Sequence, residues 1–357
     1  MGLMDWRVAV KVTVNGQDVT GIFSERLMSM TITDTAGIQS DTLDIVLSDS
    51  DPLARLALPA TGAEISVALG YGYLAQPIGI YVVEEIEVGG PPDSVSIRAY
   101  ASSYGETDEG RSAINDQKTR SWPENTTVAA MVGKIAGESG FEAAVSAEAG
   151  KIKLPHQDQI DESDIALLSR VARDNGLIFK PGGGKLVMVK SGESTSAGGE
   201  PLPVVQLGLK QLSAWRMAVR RPDVAKKVVT KYRDLEAAET IEVTVTTTPA
   251  TSLADASQAG EDILSGKSAT SKVKRTYPSR AAAETAAKAA AEDAQRKSHQ
   301  LSLRLPGRAD LMAEGRVLLQ GVRPGVDREW LIRQVTHQVE PGSGWSCSVE
   351  AELPPGT

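Results

Sequence analysis

Asp161, Glu162 and Asp164 set three carboxylates within four positions, the side chains from which a general acid and base for glycoside cleavage are made. They also open an amphipathic run, and acids at the start of a helix are accounted for by capping and by the helix dipole. Gly260-Glu-Asp-Ile-Leu-Ser-Gly-Lys-Ser268 approaches a phosphate-binding loop. It carries five residues where the motif needs four, and polar residues precede it where a buried strand is required. Pro181-Gly-Gly-Gly-Lys185 lies between two strand patterns and reads as a hairpin loop. His156, His299 and His337 are far apart and in no metal-ligand spacing. No Gly-x-Ser-x-Gly elbow presents a serine nucleophile. Cys347 is the single cysteine, in an alternating run where it serves as a small hydrophobe. No catalytic, cofactor-binding or metal-ligating residue is therefore assigned, no cofactor is expected, and the chain reads as a non-enzyme.

The elements around the acidic cluster are better defined than any chemistry in it. Asp161 or Ser163 is expected to cap a helix whose Ile165, Leu168, Val171 and Ala172 recur at helical spacing, with Arg170, Arg173 and Asp174 facing away. Asn175-Gly176 supplies the left-handed stop, and Leu177–Phe179 starts a strand that returns through Leu186–Val189. Upstream, Asn125 or Thr126 is expected to cap a helix with Val128, Met131, Val132 and Ile135 on one face. Gly140 ends it and a strand follows over Phe141 to Val145. Residues 105–190 thus form an α+β domain.

The flanks are β. Val8, Val10, Val12 and Val14 alternate with polar residues, and Asn15-Gly16 is a two-residue hairpin signal. Each valine buried in full contributes about 1.5–3 kcal/mol, so this strand belongs to a core. Period-two runs recur at Met28–Ile32, Leu43–Leu47, Ile65–Leu69, Ile78–Val82 and Val95–Ala99, which predicts a small β-barrel over residues 1–104. A second barrel is expected over 191–235 and 300–357. Residues 236–299 read as an insertion holding a Thr/Val strand and an alanine-rich helix from Ser279 to His299, with Glu284/Lys288 and Glu292/Arg296 as i,i+4 pairs. The fold class is α+β, mainly β: two small barrels, an α+β domain between them, and a helical insertion in the second.

Composition limits the partners. The chain carries 38 basic against 46 acidic residues, a net charge of −8, which argues against stable nucleic-acid binding. Arg216, Arg220, Arg221, Lys226, Lys227 and Lys231 form the one basic cluster, read as solvated strand faces. No apolar run approaches the roughly 18 residues that span a bilayer, so no membrane insertion is expected, and the start Met1-Gly-Leu-Met-Asp-Trp-Arg7 lacks the pattern of a secretory signal.

Three blocks resemble the late control gene D family of tailed-phage proteins and the hub portion of type VI secretion spike proteins. The first is Asp161–Lys180, an acidic-Ser-Asp opening, an amphipathic helix and a Gly-Leu-aliphatic-Phe strand. The second is Ile78–Ala101, where Gly90-Pro-Pro-Asp93 joins an acidic strand to an Ile-x-Ala-x-Ala strand. The third comprises Trp330, Leu331, Val335, His337, Gly342, Gly344 and Trp345. The resemblance implies a structural baseplate hub subunit of a phage tail, part of the virion and assembled in the bacterial cytoplasm. It implies a homotrimer whose two barrels per chain give a pseudo-six-fold ring, with the tail tube or distal tail ring protein, a central spike protein and the tape-measure protein as partners. The alternatives are a cell-wall hydrolase or carbohydrate-binding tail component, and the hub of a non-phage contractile injection system.

Overall fold

The computed structural model describes residues 7–37, 41–101, 113–182, 184–192, 194, 202, 204–219, 227–234, 239–246, 270–277, 279–296 and 299–354. Its N-terminal strands are β1 (Val8–Val14), β2 (Gln17–Asp18), β3 (Leu27–Thr35), β4 (Thr42–Ser48), β5 (Glu64–Tyr71), β6 (Leu74–Gly89) and β7 (Ser94–Ala101). The turn from β1 to β2 has Asn15 at φ 49° and Gly16 at φ 77°, the two positive angles that a two-residue hairpin requires. Strand alternation puts Ile32, Leu43, Ile45, Ile65, Val67 and Leu69 into one core, each at most 1% exposed.

The middle of the chain builds a separate core. β8 (Gln117–Trp122) pairs with β10 (Gln157–Ser163), and β9 (Glu142–Val145), β11 (Leu177–Gly182) and β12 (Lys185–Lys190) form a three-stranded sheet in the order β11-β12-β9. Helices Val128–Ser139 and Asp164–Asp174 bury Met131, Ile135, Leu167, Leu168 and Val171 beside Phe179. Gly140 at φ 70° and Gly176 at φ 65° end these helices, as expected of them. The first cap lies later than expected, and the second falls on one of the two expected residues. Thr127 Oγ1, not Asn125 or Thr126, accepts from Ala130 N at 3.2 Å, and Ser163 Oγ accepts from Ala166 N at 3.3 Å. Asp161 does not cap: strand β10 continues through it, with a register shift between Gln159 and Glu162 and Asp161 at φ 47°.

The remaining strands are β13 (Val204–Gly208), β14 (Ala214–Val219), β15 (Lys227–Asp234), β16 (Glu239–Thr246), β17 (Thr270–Tyr277), β18 (His299–Pro306), β19 (Arg316–Gln320), β20 (Glu329–Glu340) and β21 (Gly344–Glu352). β15, β16 and β17 form their own sheet in the order β16-β15-β17. Helix Arg280–Arg296 covers it, with Ala283 and Ala287 fully buried and Thr230 Oγ1 donating to Ala283 O at 2.9 Å. Its ion pairs differ from those expected: Arg280 meets Glu284 at 2.8 Å and Lys288 meets Glu292 at 4.0 Å, while Arg296 reaches Glu352 at 3.2 Å.

Two closed barrels are not what the strand pairing gives. Among the described residues one 13-stranded sheet runs β14-β18-β21-β20-β3-β4-β7-β6-β5-β1-β2, with β13 and β19 branching from β20. The reason lies in β20. Its residues 329–331 pair with β19, but its longer second part, from Gln334 to Val339, pairs with β3 and so carries the ladder into the other half. Mainly β with a few helices stands; closure of either half does not.

The two halves repeat each other. In chain order, β1, β3, β4, β5, β6 and β7 pair as 1–5, 3–4, 4–7, 5–6 and 6–7. β13, β14, β18, β19, β20 and β21 pair in the same five combinations. Only the direction of the first strand differs, antiparallel to its partner in one half and parallel in the other. The two hairpins β6–β7 and β20–β21 even share a register shift, at Val83/Glu85 and at Ile332/Gln334. Aligned on that bulge, buried Tyr81 and Val83 match buried Trp330 and Ile332.

Candidate functional site

The acidic cluster that the sequence offers for catalysis is consumed by structure. Asp164, fully buried, accepts from Lys118 Nζ at 2.6 Å, Arg120 Nη2 at 2.6 Å and Gln159 Nε2 at 2.8 Å. Glu162 is clamped by Arg170 at 3.0 and 2.7 Å, and Asp161 Oδ1 accepts from Thr119 at 3.2 Å. Two carboxylates held by cations and a third hydrogen-bonded across a strand pair have no geometry for a shared proton on a substrate. Arg120 also lies 4.6 Å over the Trp122 ring, so β8 is tied to the helix by charge and to its own core by the aromatic face.

His337 and Cys347 meet across β20 and β21, with Sγ 3.1 Å from Nδ1. Burial lowers the imidazole to about 4 and raises the thiol to about 12. Both are neutral across the physiological range, so the thiol is no nucleophile. Tyr71 packs on Trp345 at 5.4 Å on the same side of the core. His156 pairs with Asp158 at 3.0 Å and His299 lies in β18, so the three histidines stay apart. The Gly260–Ser268 stretch lies outside the described residues, as do Arg220, Arg221 and Lys226 of the basic cluster. Lys231 pairs with Glu242 at 3.2 Å. Lys185, at the start of β12, meets Glu142 at 3.0 Å. Among the described residues no group of three His, Cys, Asp or Glu side chains is placed to hold a metal ion, and no helix is long and apolar enough to cross a membrane.

The groups that do converge were not marked by any sequence spacing. Lys180 of β11 reaches the β3–β4 hairpin, donating to Asp34 at 3.2 Å, Asp41 at 2.8 Å and Thr35 O at 3.2 Å. Asp34 Oδ2 also accepts from Ala313 N at 2.7 Å, so one carboxylate ties its own strand to two distant segments of chain. Burial, then the charge of Asp34, raises Asp41 to about 6 against the pull of Lys180. Burial works against the Lys180 charge, but the two carboxylates outweigh it and hold the ammonium above the ordinary range. Next to this junction, a cleft of about 540 Å³ is lined by Gly176, Ala289, Arg296, Glu314, Arg333 and Glu352. These are the contacts that fix the middle domain against the sheet.

A recess of about 650 Å³ opens between helix Thr20–Arg26 and residues 54–59, over Val12, Ile45, Leu47 and Ile65. Asn15, Gln17, Glu25, Arg26 and Arg55 share its lining.

Comparison with known proteins gives the family. The phage tail baseplate hub (GPD) family matches residues 111–343. The probable baseplate hub protein of Escherichia phage 186 is 31% identical over 370 aligned residues, which span 97% of this chain and 92% of that protein. The crystal structure of the prophage MuSo2 43 kDa tail protein from Shewanella oneidensis shares the fold, with TM-score 0.67 and 14% identity over 97% of this chain and 98% of that one. So does the E. coli c3393 protein, a type VI secretion component similar in structure to T4 tail proteins gp27 and gp5, with TM-score 0.55 and 12% identity over 98% of this chain and 76% of that one. The chain belongs to the phage tail baseplate hub (GPD) family.

Proposed function

We propose that the chain works as the structural baseplate hub subunit of a phage tail: a homotrimeric, pseudo-six-fold ring that joins the tail tube, or a distal tail ring, to the central spike. The observation that carries this reading is the repeat of five strand pairings within one chain. A trimer of such chains presents six similar units, which suits a six-fold tube on one side and a three-fold spike on the other. Residues 1–104 and the segments 191–235 and 300–357 act as the two barrel-like units. Residues 105–190 form the domain between them, and 236–299 the insertion. The ring assembles in the host cytoplasm and stays in the virion baseplate. It lets the tape-measure protein and DNA pass a polar inner wall, without turnover and without a cofactor.

The test is mass in solution and electron microscopy. The expected result is a ring near three times 37.8 kDa. Persistent monomers at high concentration, with no ring even beside spike or tube partners, would overturn it.

A further inference from the structure

Separate cores meet at one seam. The buried apolar residues of the large sheet, of the α+β domain and of the insertion form distinct clusters that share no member. The α+β domain and the insertion hold each other closely. Asp174 accepts from Arg275 at 2.6 Å and from the Tyr277 hydroxyl at 3.2 Å, both on β17. Beside it, Gly176 lies so near helix Arg280–Arg296 that a Cβ there would sit 3.4 Å from Ala289. Both bodies meet the sheet through polar groups. Lys180 reaches Asp34 and Asp41, Arg316 donates to Gly192 O at 2.7 Å, and Arg296 reaches Glu352 at 3.2 Å. The cleft of about 540 Å³ lies along this seam, and an interface without a shared apolar core leaves relative motion open.

The charges at the seam do not balance. Glu314 enters the cleft from a left-handed backbone position, φ 66°. It is faced by Glu352 of β21, Lys180 of β11, Arg296 of the insertion helix and Asp34 of β3. Arg173 and Asp174 of helix Asp164–Asp174, Asp293 of the insertion helix and Arg333 of β20 share the same cleft. Arg333 stands 3.7 Å from Glu352 and is half exposed. Asp41 is faced by Asp34, by Lys180 and, from β6, by the neutral phenol of Tyr81. Asp34 and Asp41 thus share the ammonium of Lys180, while Glu314 and Glu352 share the guanidinium of Arg296. One proton taken up at each place removes the excess negative charge.

We propose that this seam is a pH-operated latch: acid closes the α+β domain and the insertion, as one body, onto the sheet, and rising pH frees them. The latch belongs to the single chain and holds whether or not the hub ring forms.

The direction follows from proton affinity. Burial, then the charge of Glu352, raises Glu314 to about 7, and burial, then Asp34, raises Asp41 to about 6. Opening returns both groups to water and to the ordinary carboxylate range, so the closed form binds protons more tightly. Its advantage is complete near about pH 4 and is lost as pH rises through 6 and 7. For Glu314 alone, a fall from about 7 to 4.5 on opening shifts the equilibrium by on the order of a hundredfold.

The experiment measures distances between spin labels in the full-length chain, diluted with unlabelled protein. Lys151→Cys with Arg323→Cys spans the seam, and Lys151→Cys with Lys288→Cys lies within the moving body. Lys151 and Lys288 are well exposed, and native Cys347 is buried with its thiol held neutral, so it takes no label. The seam pair should give one distance at pH 5 and a second, longer one at pH 8, the open fraction rising by at least about tenfold. The other pair should not change. Asp41→Asn with Glu314→Gln, which mimic the protonated acids, should keep the seam closed at pH 8. Hydroxyl-radical labelling of the unaltered protein supplies a reading free of variants. Leu331, buried in the cleft wall, should be labelled several-fold faster at pH 8 than at pH 5, while Phe179 inside the α+β core should not. A seam distance and a Leu331 labelling rate that stay constant over this range would overturn the latch. So would a double variant that opens as the parent does. Movement of the control pair along with the seam pair would overturn the single body.

Discussion

Replacing Asp164 by alanine should destabilise the α+β domain by about 2–3 kcal/mol, and the figure follows from what the carboxylate holds. It is fully buried and receives Lys118, Arg120 and Gln159 at 2.6, 2.6 and 2.8 Å. Removing one partner of a buried ion pair costs about 3–5 kcal/mol, because the other charge is left uncompensated. Two features reduce that. The Lys118 and Arg120 side chains are 26% and 19% exposed, so water meets part of their charge. Glu138 also remains within 3.8 Å of Lys118 and in contact with Arg120. At about 4–8 °C per kcal/mol for a domain of this size, the melting temperature of that domain should fall by about 10–20 °C. Denaturant unfolding followed by circular dichroism gives the free energy. Hydrogen exchange over Asp164–Asp174 localises it to the helix. A second variant separates charge from packing: Lys118→Met, Arg120→Met and Asp164→Leu together should recover most of the loss, since an apolar replacement strands no charge. A loss below about 1 kcal/mol for Asp164→Ala, with exchange unchanged, would show that the carboxylate is not what joins β8 to the helix.

Gly176→Val should cost more than about 1 kcal/mol, because φ is +65°, where a β-branched residue is strained; an unchanged melting curve would refute the strain. Gly307→Ala should cost about 1–3 kcal/mol by overpacking, since a Cβ there overlaps the Trp345 ring; the tryptophan emission of the folded protein should shift with it. Burial, then the charge of Glu352, raises Glu314 to about 7 from an ordinary 4.5, so its contribution is complete below pH 4.5 and lost as pH rises through 7. Glu314→Gln should therefore match the parent at pH 4.5 and exceed it at pH 8 by up to about 3 kcal/mol in denaturant titrations; a pH-independent difference would count against this. Duplex DNA should bind the protein only weakly at physiological salt, and a sub-micromolar, salt-sensitive affinity in a fluorescence titration would contradict a passive channel.

What the sequence discloses is what neighbours in the chain decide. The valine alternation of β1, the Asn15-Gly16 turn and the glycines at 140 and 176 need only a few residues of context, and the structure places them as expected. Deciding between the two cap candidates, Asp161 and Ser163, needed more: β10 pairs with β8 up to Ser163, and Asp161 sits at φ 47° inside the register shift, so the strand takes residues whose composition would start a helix. Lys180 and its partners Asp34 and Asp41 are 146 and 139 positions apart, and a charged residue on a strand next to a hairpin loop carries no sign of the carboxylate it will meet. Closure of the two halves was misread for a related reason. Periodicity reports which face of a strand is buried but not which strand lies at its edge, so nothing in Gln334–Val339 shows that its edge partner is β3.

In the proposed trimer, the repeat would let one chain serve two symmetries. The paired strands occur twice per chain, and a three-chain ring would present them six times. The segments that interrupt them occur once. The β3–β4 hairpin is short and binds Lys180 through Asp34 and Asp41, whereas its counterpart, between β14 and β18, holds the β15–β17 sheet and helix Arg280–Arg296. The α+β core likewise falls between β7 and β13, at the boundary of the two repeats. Each of these additions breaks the equivalence of the halves at a loop, leaving the five strand pairings intact. A ring built this way would be six-fold in its sheets and three-fold in its decorations. Its contacts to a six-fold partner then belong on the strands and their hairpins, and those to a three-fold partner on the two interrupting segments.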